Sequence, residues 1–231
     1  MKKIIFGIFA HPDDEAMGPA GTLLLEAHSG AELHLITLTS GQGGTNPDSA
    51  ADLGKVRLEE WHTSGQLLGA KSMHFLGYQD GQLNNVAMIE ASARLVELMG
   101  SVLSEAAEAA EDTEAEVVAF DLNGYTGHID HIVASRAACH AFYQLKKRDD
   151  RLKRIRLNCI SSEQSPAHSA DWIYMEQGRT PNEIDEIIDA REFHDQILAV
   201  IHAHYSQRSD GETHIKNRGL DLGLNYFIVK T

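Results

Sequence analysis

Two short stretches concentrate the reactive side chains of this sequence. At 11–15 it reads His11, Pro12, Asp13, Asp14, Glu15, and at 128–131 it reads His128, Ile129, Asp130, His131. Four ionisable groups in five positions repel one another beside an apolar run, and a bound cation offsets that repulsion. Imidazole and carboxylate are also the donors of catalytic zinc sites, which take about three protein ligands and keep one position open. The first stretch can supply two ligands and the second one or two. His128 and His131 are three apart, so a helix starting near Gly127 puts both on one face of its first turn.

The elements that must position these residues follow from the hydrophobic pattern. KIIFGIFA (3–10) is a nearly continuous apolar run, which suits a strand buried on both faces of a parallel sheet. Further strands are predicted at 31–39, 71–77, 114–121 and 154–161. Helices are predicted between them, at 19–29, 51–69, 87–110 and 127–147. Strand–helix units in succession, with no hairpin signal, predict an α/β, Rossmann-like doubly wound, mostly parallel sheet. Beyond 161 the pattern loosens into an irregular C-terminal third: short strands at 171–175 and 183–188, a helix at 190–206 and a last strand at 224–230. No linker or repeat is visible, so residues 1–231 read as a single domain. Both polar stretches then fall just past the carboxyl ends of strands, on the rim where open parallel sheets bind ligands.

Composition narrows the partners. The net charge of −14 argues against nucleic acid and anionic membrane surfaces. The first apolar run is short and interrupted by the acids, so neither a signal peptide nor a membrane span is expected, and a cytoplasmic location is. Two cysteines make no disulfide framework and no zinc knuckle. Dinucleotide binding is disfavoured, because the glycines of SGQGG lack the required spacing and follow the second strand.

Together, AHPDDE (10–15) after the first strand and GHIDH (127–131) resemble the LmbE-like and PIG-L-like zinc-dependent N-acetylglucosaminyl deacetylases. TSGQGG (39–44), RLEEWHTSGQLLGA (57–70), FLGYQDGQL (75–83) and AHYSQ (203–207) extend the resemblance over most of the chain. The resemblance implies His11, Asp14 and His131 as ligands of zinc, or of another divalent metal such as iron. It also implies Asp13 as general base, a protonated His128 as acid and oxyanion stabiliser, and Asp130 as the residue that orients a histidine. The implied reaction is attack of zinc-bound water on an acetamide. The implied partner is a small N-acetylated amino sugar or glycoconjugate, and a homo-oligomer is compatible with it. Ile129 stands where many relatives have proline, and Gln42 where many have an acid.

Several residues carry two readings. Arg57 forms a helical ion pair with Glu60, or else contacts substrate in the site. His204 is structural or a substrate contact. Glu15 is an outer hydrogen-bond acceptor or a first-turn acid favoured by the helix dipole. A non-catalytic metal and glycan-binding module on the same fold is the alternative function; such a module has no need of both Asp13 and His128.

Overall fold

The computed structural model describes residues 2–108, 112–165 and 178–231. Five strands are parallel: β1 (Lys2–Phe9), β2 (Glu32–Thr39), β3 (Ala70–Tyr78), β4 (Thr113–Phe120) and β5 (Leu152–Cys159). β6 (Glu186–Asp189) and β7 (Leu224–Lys230) complete a seven-stranded sheet of order β3-β2-β1-β4-β5-β7-β6, with β7 antiparallel to both of its neighbours. The helices are α1 (Asp14–Met17), α2 (Ala20–His28), α3 (Leu53–Leu67), α4 (Asn85–Glu108), α5 (Ile129–Lys146), α6 (His194–His202) and α7 (Arg208–Arg218). The α/β, doubly wound, mostly parallel expectation therefore holds. The strand expected at 171–175 lies outside the described residues. The helix expected at 190–206 is α6 flanked by two 3-10 turns, and α7 had no counterpart in the sequence pattern. Among the described residues, no helix is long and apolar enough to cross a membrane.

The continuous apolar run of β1 is explained by burial on two sides. Ile4, Phe6 and Ile8 pack under α4 and α5, against Leu95, Met99 and Phe142. Ile5 and Phe9 pack on the other face with Leu23, Trp61 and Ile197. β1 and β4 are neighbours, yet β1 leads to β2 on one side and β4 to β5 on the other. A crevice opens where the winding reverses. The two polar stretches leave these two strands and meet there.

At the other end of the sheet, Arg156 is fully buried. It meets Glu26 at 2.7 Å and Glu116 at 3.0 Å, with Lys3 and Arg154 sharing the same carboxylates. Removing one partner of a buried pair leaves charge uncompensated. Arg156→Ala is expected to cost about 3 kcal/mol, the remaining cations limiting the loss, and to lower the urea midpoint without changing metal content.

Candidate metal centre and active site

The exit from β1 is bent hard. Asp13 has φ +109°, a conformation L residues rarely adopt and Asp tolerates better than most. The bend turns Asp13 and Asp14 in different directions. The Asp14 Oδ2 accepts the backbone N–H groups of Ala10 (3.0 Å) and His11 (2.9 Å), and its Oδ1 lies 3.1 Å from His131 Nε2. Burial alone would raise the Asp14 pKa, but the His131 charge outweighs it and holds the carboxyl far below the usual range.

Hydrogen bonds fix the ring protons. The His11 Nε2 faces two acceptors, Asp80 Oδ1 at 3.1 Å and Asp130 Oδ2 at 3.4 Å, so its proton sits there. The His131 Nδ1 donates to the Gly124 carbonyl at 3.0 Å. If both rings are neutral, as metal ligands must be, the lone pairs of His11 Nδ1 and His131 Nε2 point at each other across 3.1 Å, beside the Asp14 carboxylate, whose Oδ2 is 3.7 Å from His11 Nδ1. Such a convergence is stable around a positive charge, either a ring proton shared between the two imidazoles or a metal ion that replaces it. Burial would push the His11 imidazole down, but the Asp130 and Asp80 carboxylates raise its pKa to about 10, which expresses the same demand for positive charge. Ligands of a tetrahedral zinc ion lie about 3.3 Å apart. The 3.1 Å separations of His131 Nε2 from His11 Nδ1 and from Asp14 Oδ1 suit that spacing, the 3.7 Å contact of His11 Nδ1 being to the other Asp14 oxygen, and each imidazole has the outer acceptor that metal-bound histidines use.

Donors of His11, His128 and His131 also lie within 4.8 Å of one another, as do those of His11, Asp80 and Asp130. The Asp130 carboxylate is occupied by the backbone N–H groups of Gly81 (2.7 Å) and Leu83 (3.2 Å), so it holds the loop after β3 against His11. Asp80, which the sequence left unassigned, is the nearer of the two acceptors on His11. Its signals were an Asp-Gly pair following a strand and its place in FLGYQDGQL, one of the segments that carry the family resemblance. Asp80→Asn and Asp130→Asn are each expected to weaken zinc affinity roughly 10–100-fold in a chelator competition.

His128 caps α5. Its Nδ1 accepts the Asp130 backbone N–H at 3.2 Å, which leaves Nε2 to carry the proton of a neutral ring. Burial, then the charges of His131 and His11, lower its pKa. The geometry therefore favours a neutral donor over the protonated ring expected from sequence. Ile129 is the first residue of α5, the one helical position where proline fits well, so its exchange with proline is a mild one.

Arg57 pairs with Asp13, not with Glu60. Its Nη2 donates to Asp13 Oδ2 at 2.8 Å and to the Pro12 carbonyl at 2.5 Å, and Nη1 donates to the Gly41 carbonyl at 2.8 Å. Glu60 is instead taken by Ser206, through its N–H and hydroxyl at 2.7 Å each. The glycine loop is the berth of this guanidinium: Gly41 has φ +65°, and a Cβ there would overlap Arg57. Burial raises the Asp13 pKa to about 6, with Arg57 the largest opposing influence.

His204 departs from the substrate-contact reading. It is buried, and its Nε2 meets Glu15 Oε1 at 2.7 Å. Glu15 also accepts the Ser64 hydroxyl at 2.5 Å and the Asp13 N–H at 3.2 Å. Glu15 and His204 thus brace the strained Asp13 from behind. A cavity of about 650 Å³ opens over the cluster; His11, Asp13, Asp14, Arg57, His128 and His131 line it, and His204 does not.

A 1D-myo-inositol 2-acetamido-2-deoxy-alpha-D-glucopyranoside deacetylase of Salinispora arenicola is 32% identical over 160 residues, covering 58% of this chain and 49% of its own. A protein of the same name from Acidothermus cellulolyticus is 26% identical over 260 residues, covering 99% and 89%. The chain spans about half the length of the first of these relatives. The fold is shared with N,N'-diacetylchitobiose deacetylase from Pyrococcus horikoshii (TM-score 0.62, 20% identity, 99% of this chain and 82% of that one). It is also shared with 4-carboxy-2-hydroxymuconate hydratase from Pseudomonas putida KT2440 (TM-score 0.65, 18% identity, 100% and 97%). The profile of the PIG-L family, GlcNAc-PI de-N-acetylase, matches residues 6–142, more than half of the chain and every residue from His11 to His131. The chain belongs to the PIG-L, GlcNAc-PI de-N-acetylase, family.

Proposed function

We propose that this protein is a metal-dependent amide hydrolase that releases acetate from an N-acetylated amino sugar of the N-acetylglucosamine type, or from its conjugate. The fold does not choose the reaction, since it also carries a hydratase. The observation that carries the proposal is the division of labour between adjacent acids. Asp14 faces His131 and His11, while Asp13 lines the same cavity on Arg57. We also take residues 1–231 as one catalytic domain, because β7 and β6 extend the same sheet and α7 lines the same cavity.

In this reading His11, Asp14 and His131 hold the metal, with zinc the first choice and iron compatible with the same donors. When bound, the ion supplies Lewis acidity, which makes water a usable nucleophile near neutral pH and polarises an amide carbonyl. Asp13 accepts the proton of the attacking water and becomes a carboxylic acid. The carbonyl oxygen gains negative charge, and the His128 Nε2–H donates a hydrogen bond to it. The C–N bond then breaks as Asp13 returns its proton to the departing nitrogen, leaving acetate and a free amine. Arg57 keeps Asp13 ionised before the attack and orients its carboxylate. Asp130 and Asp80 fix the His11 tautomer. Glu15, Ser64 and His204 hold the backbone bend that separates Asp13 from Asp14.

The test is mass spectrometry of N-acetylglucosamine conjugates incubated with zinc-loaded protein. Loss of one acetyl group with a new primary amine is expected. Intact conjugates that nevertheless bind would favour the non-catalytic module.

A further inference from the structure

We propose that α7 reads the part of the substrate beyond the N-acetylated ring, and that this part is uncharged and rich in hydroxyls. The inference rests on the deacetylase reading and names what that site selects. Asp210, Thr213, His214 and Asn217 recur at i, i+3, i+4 and i+7, which puts them on one face of α7. All four line the same cavity as His11 and His128.

Apolar packing holds this helix at few points, chiefly Ile215 and Gly211. Gly211 is its only buried residue, and it has no apolar stripe to hold it on the core. It is tied at its ends. Arg208 grips Asp48, in the loop after β2, through two contacts of 2.7 Å. Arg218 Nη2 donates to the Tyr125 hydroxyl, in the loop after β4, at 3.0 Å. Just before α7, Gln207 meets the Thr45 hydroxyl at 3.1 Å and its carbonyl at 2.9 Å. The helix is thus a polar strap between two loops that border the site.

Its chemistry defines the ligand. A carboxylate, a hydroxyl, an imidazole and an amide together accept from and donate to hydroxyl groups. Among the described residues, neither the Asp210 carboxylate nor the Asn217 amide has a hydrogen-bond partner in the chain. Among the described residues lining the cavity Arg57 is the only arginine or lysine, and its charge is paired with Asp13 at 2.8 Å, its Nη groups donating also to Pro12 and Gly41. Among the described lining residues a phosphate would find no guanidinium or ammonium free of an ion pair, and it would face Asp210. The cavity of about 650 Å³ also exceeds what one sugar ring fills.

The test compares free N-acetylglucosamine, N-acetylglucosaminyl-inositol and the same conjugate bearing a phosphodiester. Binding is read by ligand-observed NMR on metal-stripped protein, and acetate release on zinc-loaded protein. Asp210→Ala and Asn217→Ala are each expected to weaken inositol-conjugate binding and its kcat/KM roughly 3–10-fold, with the free sugar unchanged. Asp210→Lys is expected to favour the phosphodiester conjugate relative to wild type. Equal losses on free sugar and conjugate, no loss on the conjugate, or wild-type binding of the phosphodiester as tight as of the uncharged conjugate would overturn the assignment. Acetate release from none of the probes would overturn the deacetylase reading instead, and the binding arm would then decide the role of α7 by itself.

Discussion

Asp13→Asn is expected to lower kcat by roughly 10²–10⁴-fold while leaving zinc content unchanged. Asparagine tolerates positive φ and can still accept the Arg57 hydrogen bond, so the bend at +109° should survive. What it cannot do is take a proton from water. Burial puts the Asp13 pKa at about 6, within reach of the operating pH of a general base, and the Arg57 guanidinium keeps it from rising further. Asp14→Asn should behave differently, losing metal first and turnover as a consequence. Metal analysis beside steady-state acetate release separates the two. Metal loss in Asp13→Asn with retention in Asp14→Asn would exchange their roles.

His11→Ala is expected to lose zinc more severely than any outer-partner variant, beyond the roughly 10–100-fold cost of losing Asp80 or Asp130. The reason is geometric. Its Nδ1 lies 3.1 Å from His131 Nε2, and its Nε2 faces both outer carboxylates, so one truncation removes a donor and leaves Asp80 and Asp130 without their shared imidazole. Zinc that binds only the folded state stabilises by about 2.7 kcal/mol at a hundredfold excess over Kd. A zinc-induced rise in Tm is therefore expected in wild type and absent in His11→Ala. His204→Ala should keep that rise, because its Nε2 reaches Glu15 and not the donor set. A full zinc-induced shift in His11→Ala would remove His11 from the site.

The part of this arrangement that could be read from the sequence is the part with a period or a dense local pattern. β1 shows its burial on both faces as an unbroken apolar run, and the two His/Asp stretches announce themselves by crowding. Arg57 misleads because its spacing to Glu60 suits a helical ion pair, whereas both residues find stronger partners far along the chain: Asp13 across 44 positions and Ser206 across 146. Asp80 is a single acid after a strand; its segment shares in the family resemblance, but no local pattern gives it a role beyond that of a turn residue. α7 has no apolar periodicity, so its place over the cavity depends on Asp48 and Tyr125, which no short-range pattern connects to it. The reversal of β7 likewise follows from the route of the preceding chain and not from its own residues. His128 shows the limit from another side, because its donor tautomer is set by a backbone N–H that only the start of α5 defines.

In the proposed mechanism a metal held by His11, Asp14 and His131 is required for removal of acetyl from an N-acetylated amino sugar. The most direct measurement is acetate released from an N-acetylglucosamine conjugate by one preparation in three states: as isolated, stripped by a chelator, and reloaded with zinc. Release is expected to vanish on stripping and to return on reloading. Equal release in all three states, or none from the reloaded protein, would contradict that mechanism.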